Sequence, residues 1–218
     1  MSLIVSASSG GKDFVIHPAG VTAARCTRII DLGTVDGEWK GKAKKTHKIV
    51  FGFESAVLMD DDQGEWAGKP FLITTSYTAS LSDKANLRKD LESWRGRKFT
   101  QPELDGFDMK NVLGKACMVN MVHSDPTADG KTYSNIASIM PLPAGLVMPP
   151  ASNGLIFFTL GDFDQSIYDS LSDYYKEKIA LSDEYKAIKH VSKKPNAAYV
   201  AANYGAGGGD NMDDDIPF

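Results

Sequence analysis

The amino-acid sequence predicts a mainly β domain with added helices, an extension of short helices behind it, and an acidic tail that stays disordered. Three observations carry that prediction. Five segments have the β-branched, alternating character of strands, and one apolar stripe at helical spacing falls between the third and the fourth. Pro141, Pro143, Pro149 and Pro150 then end the run. Finally, Gly205-Ala206-Gly207-Gly208-Gly209 and the aspartates behind it offer nothing to a core.

Residues 21–35 are the first strand, rich in β-branched side chains. Residues 46–54 are the second, with Ile49, Phe51 and Phe53 on one face, and a connection holding Gly37, Gly41 and most of the lysines joins the two as a loop. An acidic, glycine-bearing surface loop, 60–69, leads to the third strand at 71–79, where Phe71, Ile73, Thr75 and Tyr77 share a face. A helix follows, capped by Ser80 or Ser82, with Asp83 in its first turn, Leu87, Leu91 and Trp94 as its apolar stripe, and Gly96 as its stop. A helical turn at 108–113, a fourth strand at 115–123, turn chemistry at 125–130 and a fifth strand at 131–140 complete the unit. Three strands, a helix and two strands is the element order of the OB-fold, a five-stranded Greek-key barrel. Behind it, 155–160 reads as a further strand, and Asp164 or Ser166, Ser172 and Ser182 open short helices. The expected organisation is thus an N-terminal extension (1–20), an OB-fold barrel (21–150), a helical extension packed on it (151–191) and a flexible tail (192–218).

Composition narrows the function. No apolar run is long enough to span a membrane, and residues 1–20 lack a secretory pattern, so a cytoplasmic protein is expected. Cys26 and Cys117 sit in apolar segments and read as buried thiols. His17, His47, His123 and His190, without any Cys-x-x-Cys, assemble no zinc site by spacing, and no cofactor is expected. There is no Walker A loop and no Gly-x-Ser-x-Gly, so the chain does not read as an enzyme. The cluster Asp60-Asp61-Asp62 keeps a metal-dependent nuclease as an alternative. Net charge is −4, but the end of the chain after Gly205 holds four Asp and no Lys or Arg, so the rest is near neutral. Within that rest Lys40, Lys42, Lys44, Lys45 and Lys48 fall in nine positions without an acidic residue among them. Local density of this kind is what a phosphate backbone feels.

The chain ends Asp213-Asp214-Asp215-Ile216-Pro217-Phe218. An apolar hook behind carboxylates, stiffened by proline, reads as a peptide offered to another protein. It closely resembles the C-terminal tip of bacterial single-stranded DNA-binding proteins, which implies docking of replication, recombination and repair proteins. The opening of the chain lacks that family's strand-forming start. Asn86-Leu87-Arg88-Lys89-Asp90-Leu91-Glu92-Ser93-Trp94-Arg95-Gly96-Arg97, Gly106-Phe107-Asp108 and Leu113-Gly114-Lys115 resemble a family of single-stranded DNA-binding proteins of tailed bacteriophages. That resemblance implies a role in phage DNA replication or recombination in the cytoplasm of a bacterial host, with the tip mimicking a host peptide.

Holding a single strand takes cations along the phosphates and rings under the bases. Trp39, in the lysine loop, is the first stacking candidate, and Lys40, Lys42, Lys44, Lys45 and Lys48 would line the strand's path. Alternation does not say which face is inside. Phe53, Tyr77 and Tyr133 are therefore carried as stacking candidates, although Phe53 shares its face with Ile49. Arg88, Arg95 and Arg97 are candidates for phosphate, whereas Trp94 belongs to the helix stripe. The tethered Asp213, Asp214 and Asp215 are expected to occupy the cationic groove weakly until DNA displaces them. An adaptor that recruits host factors without touching DNA is the other alternative. Oligomeric state is left open, and stacking platforms separate DNA from RNA poorly.

Overall fold

The structure, a computed structural model, describes residues 15–39 and 41–193; at Trp39, Asp61, Gln63 and 190–193 it describes the backbone alone. Strand β1 (Gly20–Trp39) runs antiparallel to β2 (Lys42–Leu58), and both outlast their predicted segments. The pattern ended where apolar residues ran out, but ladder pairing is made by backbone groups and continues without them. Asp36 faces Lys45, an opposite-charge cross-strand pair. The expected lysine loop is therefore a hairpin arm, turning at Gly41 with φ 74°. Residues 60–69, expected as loop, contain a 3₁₀ turn at Asp61–Trp66.

Strand β3 (Pro70–Thr78) pairs with β2, β4 (Ala116–His123) with the start of β1, and β5 (Ser134–Met140) with β4. The antiparallel path of this open sheet reads β3-β2-β1-β4-β5, and its outer strands β3 and β5 come into contact. A sixth strand, β6 (Ile156–Phe158), lies parallel to Arg28–Ile30 of β1, beyond the point where β4 leaves it. One extra residue sits between Cys26 and Arg28 and another between Asp31 and Gly33, irregularities of the kind that bend and twist a strand. The proposed β5 start at 131 moves to Ser134, because Thr127 holds residue 131 in the turn through N–H and C=O bonds.

Both faces of the β1–β2 ribbon are buried. Ile29, Ile49, Phe51 and Phe53 point into one core, and Ile30, Leu32 and Val50 into another. The first is plugged by α1 (Asn86–Arg95), whose Leu87, Leu91 and Trp94 are buried, with Trp94 edge-on to Phe53 at 5.7 Å. Gly96 ends α1 in the left-handed region, as expected. Its start is corrected: Ser80 accepts from the Ser82 N–H and spends its hydroxyl within the turn, Ala85 is the N-cap, and Asp83 stands ahead of the helix, paired with Arg88. An unpredicted helix, α2 (Gln101–Asp105), opens with Thr100, whose N–H and hydroxyl donate to Glu103. The expected turn at 108–113 is 3₁₀ over Met109–Val112.

The second core lies under α3 (Gln165–Ser170), α4 (Asp173–Ala180) and α5 (Asp183–Lys193), which add Leu171 and Ile179 to Phe158 and Leu160. The extension is thus not helical alone; it supplies a strand to the main sheet. Buried Glu54 secures the linker by accepting from the Ser152 and Asn153 amides and the Asn153 side chain. Arg25 does likewise, donating to the carbonyls of Gly114, Met148 and Pro149. Both cysteines are buried, and burial pushes the Cys26 thiol up to about 12. Among the described residues no helix is long and apolar enough to cross a membrane.

The chain enters the sheet through buried His17. Its Nδ1–H donates to the Pro18 carbonyl at 2.7 Å, so Nε2 accepts from the Ser55 hydroxyl at 2.8 Å. Burial holds the ring's pKa below the usual 6.5, opposed by the Pro18 bond and reinforced by His123. The unfolded chain therefore takes up the proton more readily. This contribution to stability is full above about pH 6.5 and declines as pH falls below it. Thermal melts at pH 7.5 and 5.5 should show a drop for the wild type and a smaller one for His17→Gln; equal drops would remove His17 as the cause.

Candidate nucleic-acid interface

The hairpin arm sorts its lysines by strand alternation. Lys42, Lys44 and Lys48 fall on one face of β2, Lys45 and His47 on the other. Lys45 and His47 are met by the acidic first turn of α5. Lys45 donates to Asp183 at 2.5 Å and lies 3.9 Å from Asp36. These contacts, the Asp183 hydrogen bond first, hold its ammonium above its ordinary value. His47 Nε2 meets Asp31 at 2.7 Å, with Glu184 3.5 Å from Nδ1. Glu184 also accepts from the Thr34 N–H and hydroxyl at 2.7 and 2.6 Å. Burial would raise the Glu184 pKa, but the Thr34 bonds bring it below the usual carboxylate value.

Lys42, Lys44 and Lys48 have no carboxylate partner among the described residues; Lys48 reaches only the Thr78 hydroxyl, at 3.4 Å. Their face continues across β3. Lys48 pairs with Thr78, Val50 with Ser76 and Gly52 with Thr74, and paired residues share a face. Thr74, Ser76 and Thr78 are exposed, so three free ammonium groups run into a row of three hydroxyls. Gly52 is buried on this face and makes room for the Arg28 side chain, which would lie 3.1 Å from a Cβ there. Sequence reasoning missed the hydroxyls. The period that grouped Phe71, Ile73, Thr75 and Tyr77 also sets the alternate residues on the opposite face.

Several candidates are corrected. Phe53 is fully buried against Phe51 and Trp94, so no base can stack on it. Tyr77 is also core, its hydroxyl donating to Asp90 at 2.8 Å. The open edge expected for that hydroxyl is supplied instead by the carboxylate. Lys45 is tied to Asp183, as above. Arg88 is held by Glu92, Asp83 and the Leu81 carbonyl. Arg95 and Arg97 converge on Glu103, and Arg95 stacks on Phe99 and Phe107. Arg97, then Thr100 and Arg95, hold the Glu103 carboxyl far below the usual range. Arg88 is thus matched by two carboxylates, whereas Arg95 and Arg97 share the one Glu103 carboxylate and the Arg97 side chain stays 55% exposed.

Tyr133 is 52% exposed, as stacking requires, but it lies on the β4–β5 loop. That loop follows His123, near the β1 start where Gly20 pairs with Met121, whereas the hairpin closes the other end of β1 at Trp39. The two are not brought together along β1. Trp39 pairs with Lys42 through its backbone, and its side chain lies outside the described residues, as do Lys40 and the tip Asp213, Asp214, Asp215, Ile216, Pro217 and Phe218. Among the described residues no group of three or more His, Cys, Asp or Glu could hold a metal ion.

No family model matches the chain, and no curated protein matches it.

Proposed function

We propose that this protein binds single-stranded DNA without sequence preference and serves phage DNA replication or recombination. In this reading its acidic tip recruits replication, recombination or repair proteins of the bacterial host. The observation that carries the reading is the unpaired row Lys42, Lys44 and Lys48 running into Thr78, Ser76 and Thr74 on one face of β2 and β3. The path β3-β2-β1-β4-β5, with α1 between β3 and β4 and with β3 touching β5, supports the finer assignment to the OB-fold. In that fold oligonucleotides lie on the surface of strands two and three, flanked by the loop between strands one and two and the loop between strands four and five. Ammonium groups follow phosphates and hydroxyls hydrogen-bond them, neither of which selects a base.

The test is a titration with oligo-dT across a salt series. Log K should fall with log salt by about 0.7 per neutralised phosphate, and Lys42→Ala, Lys44→Ala and Lys48→Ala together should make the slope about 2 shallower. Lys45→Ala, whose charge Asp183 already matches, should leave it nearly unchanged. No binding in dilute buffer would favour the adaptor reading. Cleavage of labelled DNA with Mg²⁺ or Mn²⁺ would favour the nuclease.

A further inference from the structure

Base stacking needs an exposed ring beside the cations, and the described residues offer three large exposed aromatics. Trp66 has Lys69 4.8 Å from its ring centroid, but Asp60, Asp62 and Glu65 in the same stretch outnumber that one cation. Tyr133, on the β4–β5 loop, lies at the opposite end of β1 from the lysine hairpin. Tyr174, on the first turn of α4, is 62% exposed. Its neighbour Tyr175 is half-buried and packs against the second core, to which Val50 belongs, the strand partner of Ser76 in the hydroxyl row. The two rings meet edge-on at 5.4 Å, so Tyr175 fastens α4 to the sheet and holds Tyr174 at the border of the lysine and hydroxyl face. Lys178, one helical turn on, sets its ammonium 5.5 Å from the Tyr174 ring centroid and has no carboxylate partner among the described residues. The nearby Asp173 is met by Lys176 at 3.9 Å. A tyrosine that serves packing hides its ring, as Tyr175 does; Tyr174 presents its ring to water with a cation beside it.

We infer that Tyr174 is a base-stacking residue of the single-stranded DNA interface and that Lys178 engages the phosphate next to the stacked base. The inference rests on the function proposed above and extends the interface from the sheet onto the C-terminal extension. Stacking on one ring contributes a sequence-tolerant increment. Tyr174→Ala should weaken oligo-dT binding roughly 5- to 150-fold without changing the salt slope, since no charge is removed. Tyr174→Phe should bind as the wild type does. Tyr174→Trp should also bind, and its indole fluorescence should be quenched by the oligonucleotide. Lys178→Ala should make the salt slope about 0.7 shallower.

The experiment is this titration on the full chain, with a thermal melt of each variant, which should stay within about 2 °C of the wild type at so exposed a position. If the wild type binds and Tyr174→Ala binds equally well, the inference fails while the proposed function stands. If Tyr174→Phe loses as much affinity as Tyr174→Ala, or if both lower the melting temperature, the residue serves packing and the inference is again overturned. A wild type that ignores oligo-dT in dilute buffer overturns both.

Discussion

Replacing Phe53 by alanine should destabilise the protein by about 3–5 kcal/mol and lower its melting temperature by about 6–20 °C. The ring is fully buried, lies between Phe51 and Trp94, and joins β2 to the helix that plugs the first core. Truncation leaves a cavity whose walls belong to a sheet and a helix, and neither can collapse into it without breaking its own hydrogen bonds. Phe53→Leu refills most of the space and should cost only about 1–2 kcal/mol. That milder variant separates two roles. A core residue predicts oligo-dT affinity equal to the wild type at temperatures where Phe53→Leu is folded. A stacking residue predicts a loss of roughly 5- to 150-fold under the same conditions. Circular dichroism melts and a titration at 15 °C suffice, and a folded Phe53→Leu that had lost binding would return the residue to the interface.

The second large effect is expected at Gly33. This residue follows the irregularity in β1, has φ 74°, and donates its N–H to Asp31 Oδ1 at 2.8 Å. A Cβ there would stand 2.6 Å from Leu160 Cδ1, 2.6 Å from Ser182 Cβ and 2.7 Å from Glu184 Oε2. Gly33→Ala therefore combines left-handed strain of about 1–2 kcal/mol with overpacking of about 1–3 kcal/mol. The sum, near 3 kcal/mol, should appear as a drop of about 6–12 °C. The contacts belong to the extension, so the damage should begin there. Limited proteolysis should open the chain within 159–185 before it cuts β1 or β2. Wild-type resistance at those sites would show that the extension does not depend on the close approach at Gly33.

What the sequence discloses follows from where local pattern and tertiary environment agree. β3 and β4 were legible because each has one wet and one dry face, the condition under which a two-residue period is visible. The stripe of α1 was legible for the same reason at helical spacing. The hairpin arm was not, because both of its faces reach water and its strands carry no apolar period. Helix α2 left a mark in Thr100-Gln101-Pro102-Glu103, a capping pattern that a search led by apolar stripes passes over. The candidate site divides along the same line. Lysine density located the cationic arm, but the choice among its lysines is made by α5, through Asp183 and Glu184, about 140 residues away in the chain. The burial of Phe53 was not decidable from its own strand, where alternation sets residues together without saying which side is dry. The Ile29-Ile30 doublet in β1 was the available hint that this ribbon has no wet face in its middle.

The parallel pairing of β6 with β1 has a consequence for the protein's birth on the ribosome. Arg28 meets Ile156, so at about 5–20 residues per second the partner emerges roughly 6 to 26 s after its template. Through that interval Ile30, Leu32 and Val50 have no cover. A newborn chain carries a greasy seam until its last third is translated, and any delay there leaves the seam open to aggregation or to a chaperone's grip.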